Sequence, residues 1–101
     1  MNTRTSIQGD VGVVTLSGAL SFELHQTLKQ ATHPMLENPA IKVICVELAE
    51  VSAMDSSSLG MLLLLREKAL AQGKSVELRK PSPIVLRILE VVQFGRLFDI
   101  T

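Results

Sequence analysis

Two adjoining segments decide the fold of this 101-residue chain: Ile41–Leu48, IKVICVEL, and Asp55–Gly73, DSSSLGMLLLLREKALAQG. The first is almost continuously apolar, which is typical of a central strand covered on both faces. The second predicts a helix that begins near Asp55 or Ser56 and runs to about Gln72, where Gly73 supplies a C-terminal stop. A buried strand followed directly by a helix is the repeating unit of an α/β protein.

The segment before this unit reads as a hairpin. Val11–Leu16 is rich in β-branched residues and is followed by Ser17-Gly18, so we predict a strand that ends there. Arg4–Gln8 is its expected antiparallel partner across a turn at Gly9-Asp10.

A first amphipathic helix is predicted between the hairpin and the central strand. Ser21 is the expected N-cap, and Glu23 adds negative charge to the first turn. Pro34 predicts a kink, or a break followed by one last turn, before Asn38-Pro39 ends the element. The apolar stripe recurs at spacings near three and four: Phe22, Leu24, Leu28, Ala31, Met35 and Leu36.

The remaining residues predict one more strand, one more helix and a closing strand. Ser75–Arg79 alternates polar and apolar residues, so it reads as a strand with one wet face. Ser82 and Pro83 are the expected N-cap and first residue of a helix that Gly95 closes, and Phe98–Thr101 is an expected edge strand. The helix carries an apolar stripe of Ile84, Val85, Ile88, Leu89 and Val92.

The resulting order, β-β-α-β-α-β-α-β, predicts an α/β fold. We expect a four- to five-stranded mixed, largely parallel sheet with about three helices, built as a single domain over residues 1–101.

Composition excludes several classes of function. Ten basic and ten acidic residues cancel, and three Phe are the only aromatic residues, so we expect no nucleic-acid partner. A lone Cys45 cannot form an intramolecular disulfide and reads as a small buried hydrophobe. The longest apolar run, Met61–Leu65, is far too short to span a bilayer, and no signal peptide follows Met1. We therefore expect a cytoplasmic protein without membrane insertion.

The stretch Met54–Gly60, MDSSSLG, is the most unusual local feature. It joins a strand to a helix N-terminus, where free backbone N–H groups and the helix dipole favour an anion such as a phosphate on a hydroxyl. Asp and Ser are also the preferred N-cap residues, so the same string is typical of a simple cap. Both interpretations are open at this point.

The run Met61–Leu65 leaves no polar face on its helix for almost two turns. Either part of it is exposed as a docking patch or covered in an oligomer, or the helix is wedged between the sheet and its neighbours. His25 and His33 lie eight residues apart and lack metal-ligand spacing. We therefore expect no metal, and because neither histidine marks a base for Ser56, we expect no catalytic residue. No G-x-G-x-x-G or Walker-type lysine loop is present, so we expect no cofactor.

The whole chain resembles a STAS domain of the anti-sigma-factor-antagonist type. Val51–Gly60, VSAMDSSSLG, looks like the D-S-S-G-L-G segment of that family, and Leu16–Leu20, LSGAL, is similar to its strand-end G-x-L. Ser82–Ile84 through Phe94–Phe98 is similar to its last helix and closing strand. The family commonly has Gly where this chain has Ser58, and Asp where it has Ser21.

The resemblance implies a bacterial phosphoprotein that switches partners in signal transduction, with an output in transcription or in biofilm regulation. The implied phosphoacceptor is Ser56. The implied partners are a serine protein kinase or anti-sigma-type regulator, bound by the unphosphorylated form, and a PP2C-type phosphatase. The alternative is a STAS interaction subunit of a lipid-transport or stress-sensing assembly without a phospho-switch. The residues expected to flank the phosphosite or contact a partner are Ser21, Met54, Asp55, Ser57, Ser58 and Gly60.

Overall fold

A five-stranded mixed sheet with three α-helices forms the protein, which confirms the predicted α/β class. The computed structural model describes residues 2–101; Met1 and the side chain of Leu24, a residue of the predicted apolar stripe, lie outside that description. The elements are β1 Asn2–Gln8, β2 Val11–Leu20, α1 Leu24–Glu37, β3 Val43–Met54, α2 Ser56–Ala71, β4 Ser75–Arg79, α3 Pro83–Val91 and β5 Asp99–Ile100.

The strands lie side by side in chain order, β1-β2-β3-β4-β5. β1 runs antiparallel to β2, and the other neighbours are parallel. Since right-handed crossovers between successive strands always fall on the same side, all three helices pack on one face of the sheet. One apolar cluster accordingly joins Val46 of β3 to Leu28, Leu62 and Val85, one from each helix.

The other face of the sheet carries no helix in the described part of the chain. Cys45 of β3 is fully buried there, yet it lies outside the helix-side cluster. It is in register with Val13 and Glu77 on the adjoining strands, and Arg79 lies close by. The prediction that β3 is buried on both faces is correct at Cys45. On the face without helices, the side chains of neighbouring strands cover it. Burial raises the pKa of the Cys45 thiol, as expected for an inert hydrophobe.

β2 and β3 are longer than the sequence predicts. β2 does not end at Ser17-Gly18 but continues to Leu20. Its register with β3 shifts between Thr15 and Ser17 and again between Gly18 and Ala19, and each shift leaves one extra residue in β3. Gly18 has φ +86°, a conformation that glycine adopts at little cost. β3 likewise continues past Leu48, and its last residue, Met54, pairs with Leu20. The two strands therefore end at the same level.

Helix α1 begins later than predicted. Glu23, not Ser21, is its N-cap, and it makes no side-chain capping bond. Phe22 therefore precedes the helix, outside its apolar stripe, and is 78% exposed. Pro34 lies inside the helix, which continues to Glu37 and ends at Asn38, as predicted. A proline so near the end costs the helix few bonds, so no separate last turn follows.

Helix α2 agrees with the sequence. It begins after the N-cap Asp55, and Gly73 with φ +71° follows its end. Within the run Met61–Leu65, Leu62 and Leu65 are buried and the other three are half-buried. The wedged interpretation is therefore correct, because no residue of the run is exposed.

Helix α3 has the predicted start but a different end. Ser82 is its N-cap and Pro83 its first residue. Its chain turns at Gln93, which has φ +60°, and a short 3-10 turn, Phe94–Arg96, follows, so Gly95 does not close it. Val85 and Leu89 are buried, whereas Ile84 is 58% exposed and belongs to the surface. Among residues 2–101, no helix is long and apolar enough to cross a membrane.

A buried lysine holds together the end of the sheet that lies opposite the carboxyl ends of its strands. Lys74 is 6% exposed, and its Nζ donates to the carbonyl oxygens of Asn38 and Ile41, both at 2.7 Å. Asn38 caps α1, so the ammonium group also opposes the negative end of that helix dipole. The contact ties the α1–β3 connection to the start of β4.

We expect Lys74→Met to lower the free energy of unfolding by about 1–3 kcal/mol, because the Ile41 carbonyl loses its bond to Lys74 and the Asn38 carbonyl keeps only the amide of Ile41. Urea denaturation monitored by circular dichroism measures the change. Lys42→Met is the matched control, since Lys42 is exposed and its substitution removes a charge only. Equal effects of the two variants would contradict the assigned role of Lys74.

Candidate functional site

One carboxylate oxygen organises the junction between β3 and α2. Asp55 Oδ1 accepts hydrogen bonds from Ser57 Oγ at 2.6 Å, from Ser58 N at 2.9 Å and from Ser58 Oγ at 2.9 Å. The bond from Ser58 N is the standard N-cap contact, which satisfies one free amide of the first turn. The interpretation of the DSSS string as an N-cap is thus correct. The capping oxygen also accepts hydrogen bonds from two serine hydroxyls.

These bonds keep Asp55 ionised. The hydrogen bond from the Ser57 hydroxyl, followed by those from the Ser58 amide and hydroxyl, lowers the pKa of the Asp55 carboxyl below its usual value. The side chain is exposed, so water screens its charge. The helix start therefore carries a fixed negative charge at neutral pH.

The three serines differ in accessibility. Ser56 is exposed as the first residue of α2, and its hydroxyl makes no hydrogen bond to any other described residue. Ser57 is half-buried, and its hydroxyl is engaged by Asp55. Ser58 is fully buried, and its hydroxyl is engaged as well. Of the three serines, Ser56 is thus the exposed one whose hydroxyl Asp55 does not engage.

The end of β2 lies beside this junction. Because Leu20 pairs with Met54 in parallel register, the following residues, Ser21 and Asp55, leave the sheet at the same edge. Met54 is half-buried against the core, and Gly60 is exposed one turn into α2 with open space around it. The structure thus gathers the candidate residues at one edge of the sheet.

Phe22 is one of the residues that sequence reasoning misassigned. The sequence predicts it in the apolar stripe of α1, but it precedes the helix, follows Ser21 directly and is 78% exposed. A single apolar residue before a helix looks like the first member of its stripe, and only the later start of α1 reveals its exposure. Phe22 is therefore a further candidate contact residue, which follows Ser21 in the β2–α1 connection.

The two histidines lie elsewhere. His25 on α1 contacts the sulfur of Met61, and His33 lines a cleft between the C-terminal halves of α1 and α2. Neither forms a hydrogen bond with Ser56. Within residues 2–101, no group of three or more His, Cys, Asp or Glu side chains is placed to hold a metal ion.

Comparisons with known proteins agree on one family. A family model described as "Mlab, STAS domain" matches residues 3–99. A STAS-domain containing protein of Pseudomonas aeruginosa (strain UCBPP-PA14) is 34% identical over 96 residues, which are 95% of this chain and 93% of that protein.

Two solved structures share the fold. The anti-sigma factor antagonist SpoIIAA in its unphosphorylated form has a TM-score of 0.82 at 20% identity, covering 99% of this chain and 88% of that one. The Bacillus cell fate determinant SpoIIAA in its phosphorylated form has a TM-score of 0.75 at 19% identity, covering 99% and 91%.

The Asp55 cap predicts an acid-side loss of stability. Because folding lowers the pKa of this carboxyl, its contribution is complete above the ordinary value of about 3.9 and disappears as the pH falls through the folded value. The difference in unfolding free energy between the wild type and Asp55→Ala should therefore be constant near neutral pH and shrink in acid. Urea denaturation at a series of pH values measures it.

Asp55→Ser is the matched control, since serine caps a helix without titrating in this range. The difference between Asp55→Ser and Asp55→Ala should not depend on pH. A wild-type advantage over Asp55→Ala that persists undiminished in strong acid would contradict the assigned role of the carboxylate.

Proposed function

The chain belongs to the STAS domain family, and we propose that it is a phosphorylation-controlled partner-switching regulator of the anti-sigma-factor-antagonist type. In this proposal the unmodified protein binds a regulatory partner, and a phosphate on Ser56 prevents that binding. The observation that carries the proposal is the exposed Ser56 at the start of α2, next to two serines whose hydroxyls Asp55 already engages.

Accessibility favours Ser56 as the single phosphoacceptor. A kinase must place the hydroxyl oxygen in line with the γ-phosphate, which requires an exposed hydroxyl. Phosphorylation of Ser57 would break its bond to the Asp55 carboxylate, and phosphorylation of Ser58 would require the helix start to open. Ser56 carries neither cost.

Charge explains how one phosphate would act on binding. A phosphoserine adds about −1.5 to −2 charge at neutral pH. On Ser56 that charge lies one residue from the ionised Asp55, in a chain whose formal net charge is zero. Phe22, which is exposed, follows two residues after the end of β2 at this edge of the sheet. A partner suited to an apolar surface with one carboxylate would meet strong negative charge instead.

The fold should tolerate the modification. The Ser56 hydroxyl is not part of the N-cap, so a phosphate on it breaks none of the three bonds to Asp55 Oδ1. The helix N-terminus also favours an anion, because the dipole places partial positive charge there. The switch therefore acts on the surface, with the domain intact.

The proposed partners are those of a switch. A serine protein kinase or anti-sigma-type regulator would bind the unmodified form and phosphorylate it, and a PP2C-type phosphatase would reverse the reaction. Supporting this, SpoIIAA, which shares the fold, is known in an unphosphorylated and a phosphorylated form. We place the protein in the cytoplasm as one domain over residues 1–101, with an output in transcription or biofilm regulation.

Protein purified from its source cells should carry at most one phosphate, located on Ser56. Intact-mass spectrometry with fragmentation measures the number and position. Ser56→Ala should carry none, whereas Ser57→Ala, the matched control, should be phosphorylated as the wild type is. Phosphate on Ser56→Ala at wild-type occupancy would contradict the site assignment.

The same variants separate the switch from the alternative function. If Ser56 switches binding, Ser56→Ala retains the partner in a pull-down and Ser56→Asp loses it by tenfold or more, which corresponds to about 1.4 kcal/mol. Stable, equal recovery of one stoichiometric partner by both variants, with no phosphate on the wild type, would instead identify an interaction subunit of a larger assembly.

A further inference from the structure

The outer edge of β1 is an open, regular strand edge. β1 pairs with β2 in seven consecutive positions, from Asn2↔Ser17 to Gln8↔Val11, without a bulge. In the described sheet its other side has no neighbour. The edge at the opposite side belongs to β5, which is only two residues long. A short edge strand resists pairing with another chain, and a long regular one invites it.

The hairpin fixes which backbone groups face outward. The carbonyl of Asp10 accepts hydrogen bonds from Lys42 N and Val43 N, so it points toward β3. Backbone N–H and C=O groups alternate in direction from one residue of a strand to the next. Those of Val11 therefore point toward β1, and Val11 forms a hydrogen-bonded pair with Gln8. The backbone groups that point inward, toward β2, are therefore those of Gln8, Ser6 and Arg4. The N–H and C=O groups that point to the open edge are those of Thr3, Thr5 and Ile7.

These three outward-facing residues lack the devices that usually protect an edge. All three are β-branched, and none is proline or lysine. Thr5 is exposed, and Ile7 is 60% exposed, although it is a large apolar residue. The one charge on β1, that of Arg4, is already paired with Glu50 at 2.8 Å. The edge is thus nearly neutral and partly apolar.

We propose that this edge binds a second copy of the chain, with β1 pairing antiparallel to the partner copy's β1 about a two-fold axis at Thr5. In this register Thr5 lies opposite Thr5 of the second copy. Thr3 of each copy lies opposite Ile7 of the other. Each of these three pairs exchanges two backbone hydrogen bonds, so all the outward-facing groups of β1 are satisfied. A second copy fits this edge because the same three residues supply the donors and the acceptors on both strands.

Side chains select this register over its neighbours. Arg4 lies opposite Ser6 of the second copy, so the two cations do not meet directly. Moving the axis by one residue to Arg4 would place them face to face and would reduce the hydrogen-bonded pairs from three to two. On the helix side of the sheet, Ile7 gains a β-branched neighbour in place of water.

The dimer has a ten-stranded sheet with its helices on one face. Since the two β1 strands are antiparallel, the carboxyl edges of the two parallel sheets point in opposite directions. The two Ser56 sites therefore lie at opposite ends, and both stay open. This inference does not depend on the proposed function, because the β1 edge shares no residue with the site.

Sedimentation velocity over a range of concentrations tests the proposal. The wild type should approach twice the monomer mass as concentration rises. Thr5→Pro should remain at the monomer mass, because proline removes an outward N–H and leaves the inward bonds to β2 in place. Thr5→Ala, which keeps that N–H, should dimerise. A wild type that stays monomeric at every concentration, or a Thr5→Pro variant that dimerises, would overturn the proposal.

Cysteine cross-linking tests the register independently of how well Thr5→Pro folds. Hydrogen-bonded antiparallel pairs have Cα atoms about 5.5 Å apart, within the range of a disulfide, so Thr5→Cys should form a cross-linked dimer on oxidation. Gln8→Cys is the control, since the two copies of residue 8 lie about 20 Å apart. Cys45 is buried and should not interfere. Equal cross-linking of both variants, or none with Thr5→Cys, would overturn the register.

Discussion

The carboxylate of Asp55 fixes the geometry on which the candidate site depends. Its Oδ1 atom receives three hydrogen bonds at the point where β3 ends and α2 begins. The cap starts the helix at Ser56, and the same oxygen engages the hydroxyls of the next two serines. The residue left free is therefore the first of the helix, where the dipole favours an anion. The interpretation of the DSSS string as an N-cap and its interpretation as a phosphorylation site therefore both rest on the hydrogen bonds of Asp55 Oδ1.

The sheet contributes the surroundings of that junction. Two register shifts, each with an extra residue in β3, bring Leu20 of β2 level with Met54 of β3. Ser21 and Phe22 therefore follow β2 at the edge of the sheet where Asp55 and α2 follow β3. An exposed apolar residue of the β2–α1 connection is thus close in the topology to the serine where a charge change would take place.

Much of the fold could be predicted from the sequence, because capping residues and hydrophobic patterning indicated the same elements. Asp55 and Gly73 bound α2, and alternation gave Ser75–Arg79 correctly. The errors share a physical origin. A glycine of positive φ inside a strand, such as Gly18, looks like a strand end, and Phe22 has the spacing of a helical stripe although the helix has not begun. The accessibility of three adjacent serines depends on rotamers and packing, which sequence does not encode locally.

The central claim is that a phosphate on Ser56 changes the surface of the domain and leaves its fold intact. Backbone amide NMR spectra of the protein with and without phosphoserine at position 56 test this most directly. The account predicts chemical-shift changes confined to residues near the site, around 20–22 and 54–60, with the core amides of β3 and α3 unmoved. Changes spread through the sheet, or loss of the α2 signals, would contradict it.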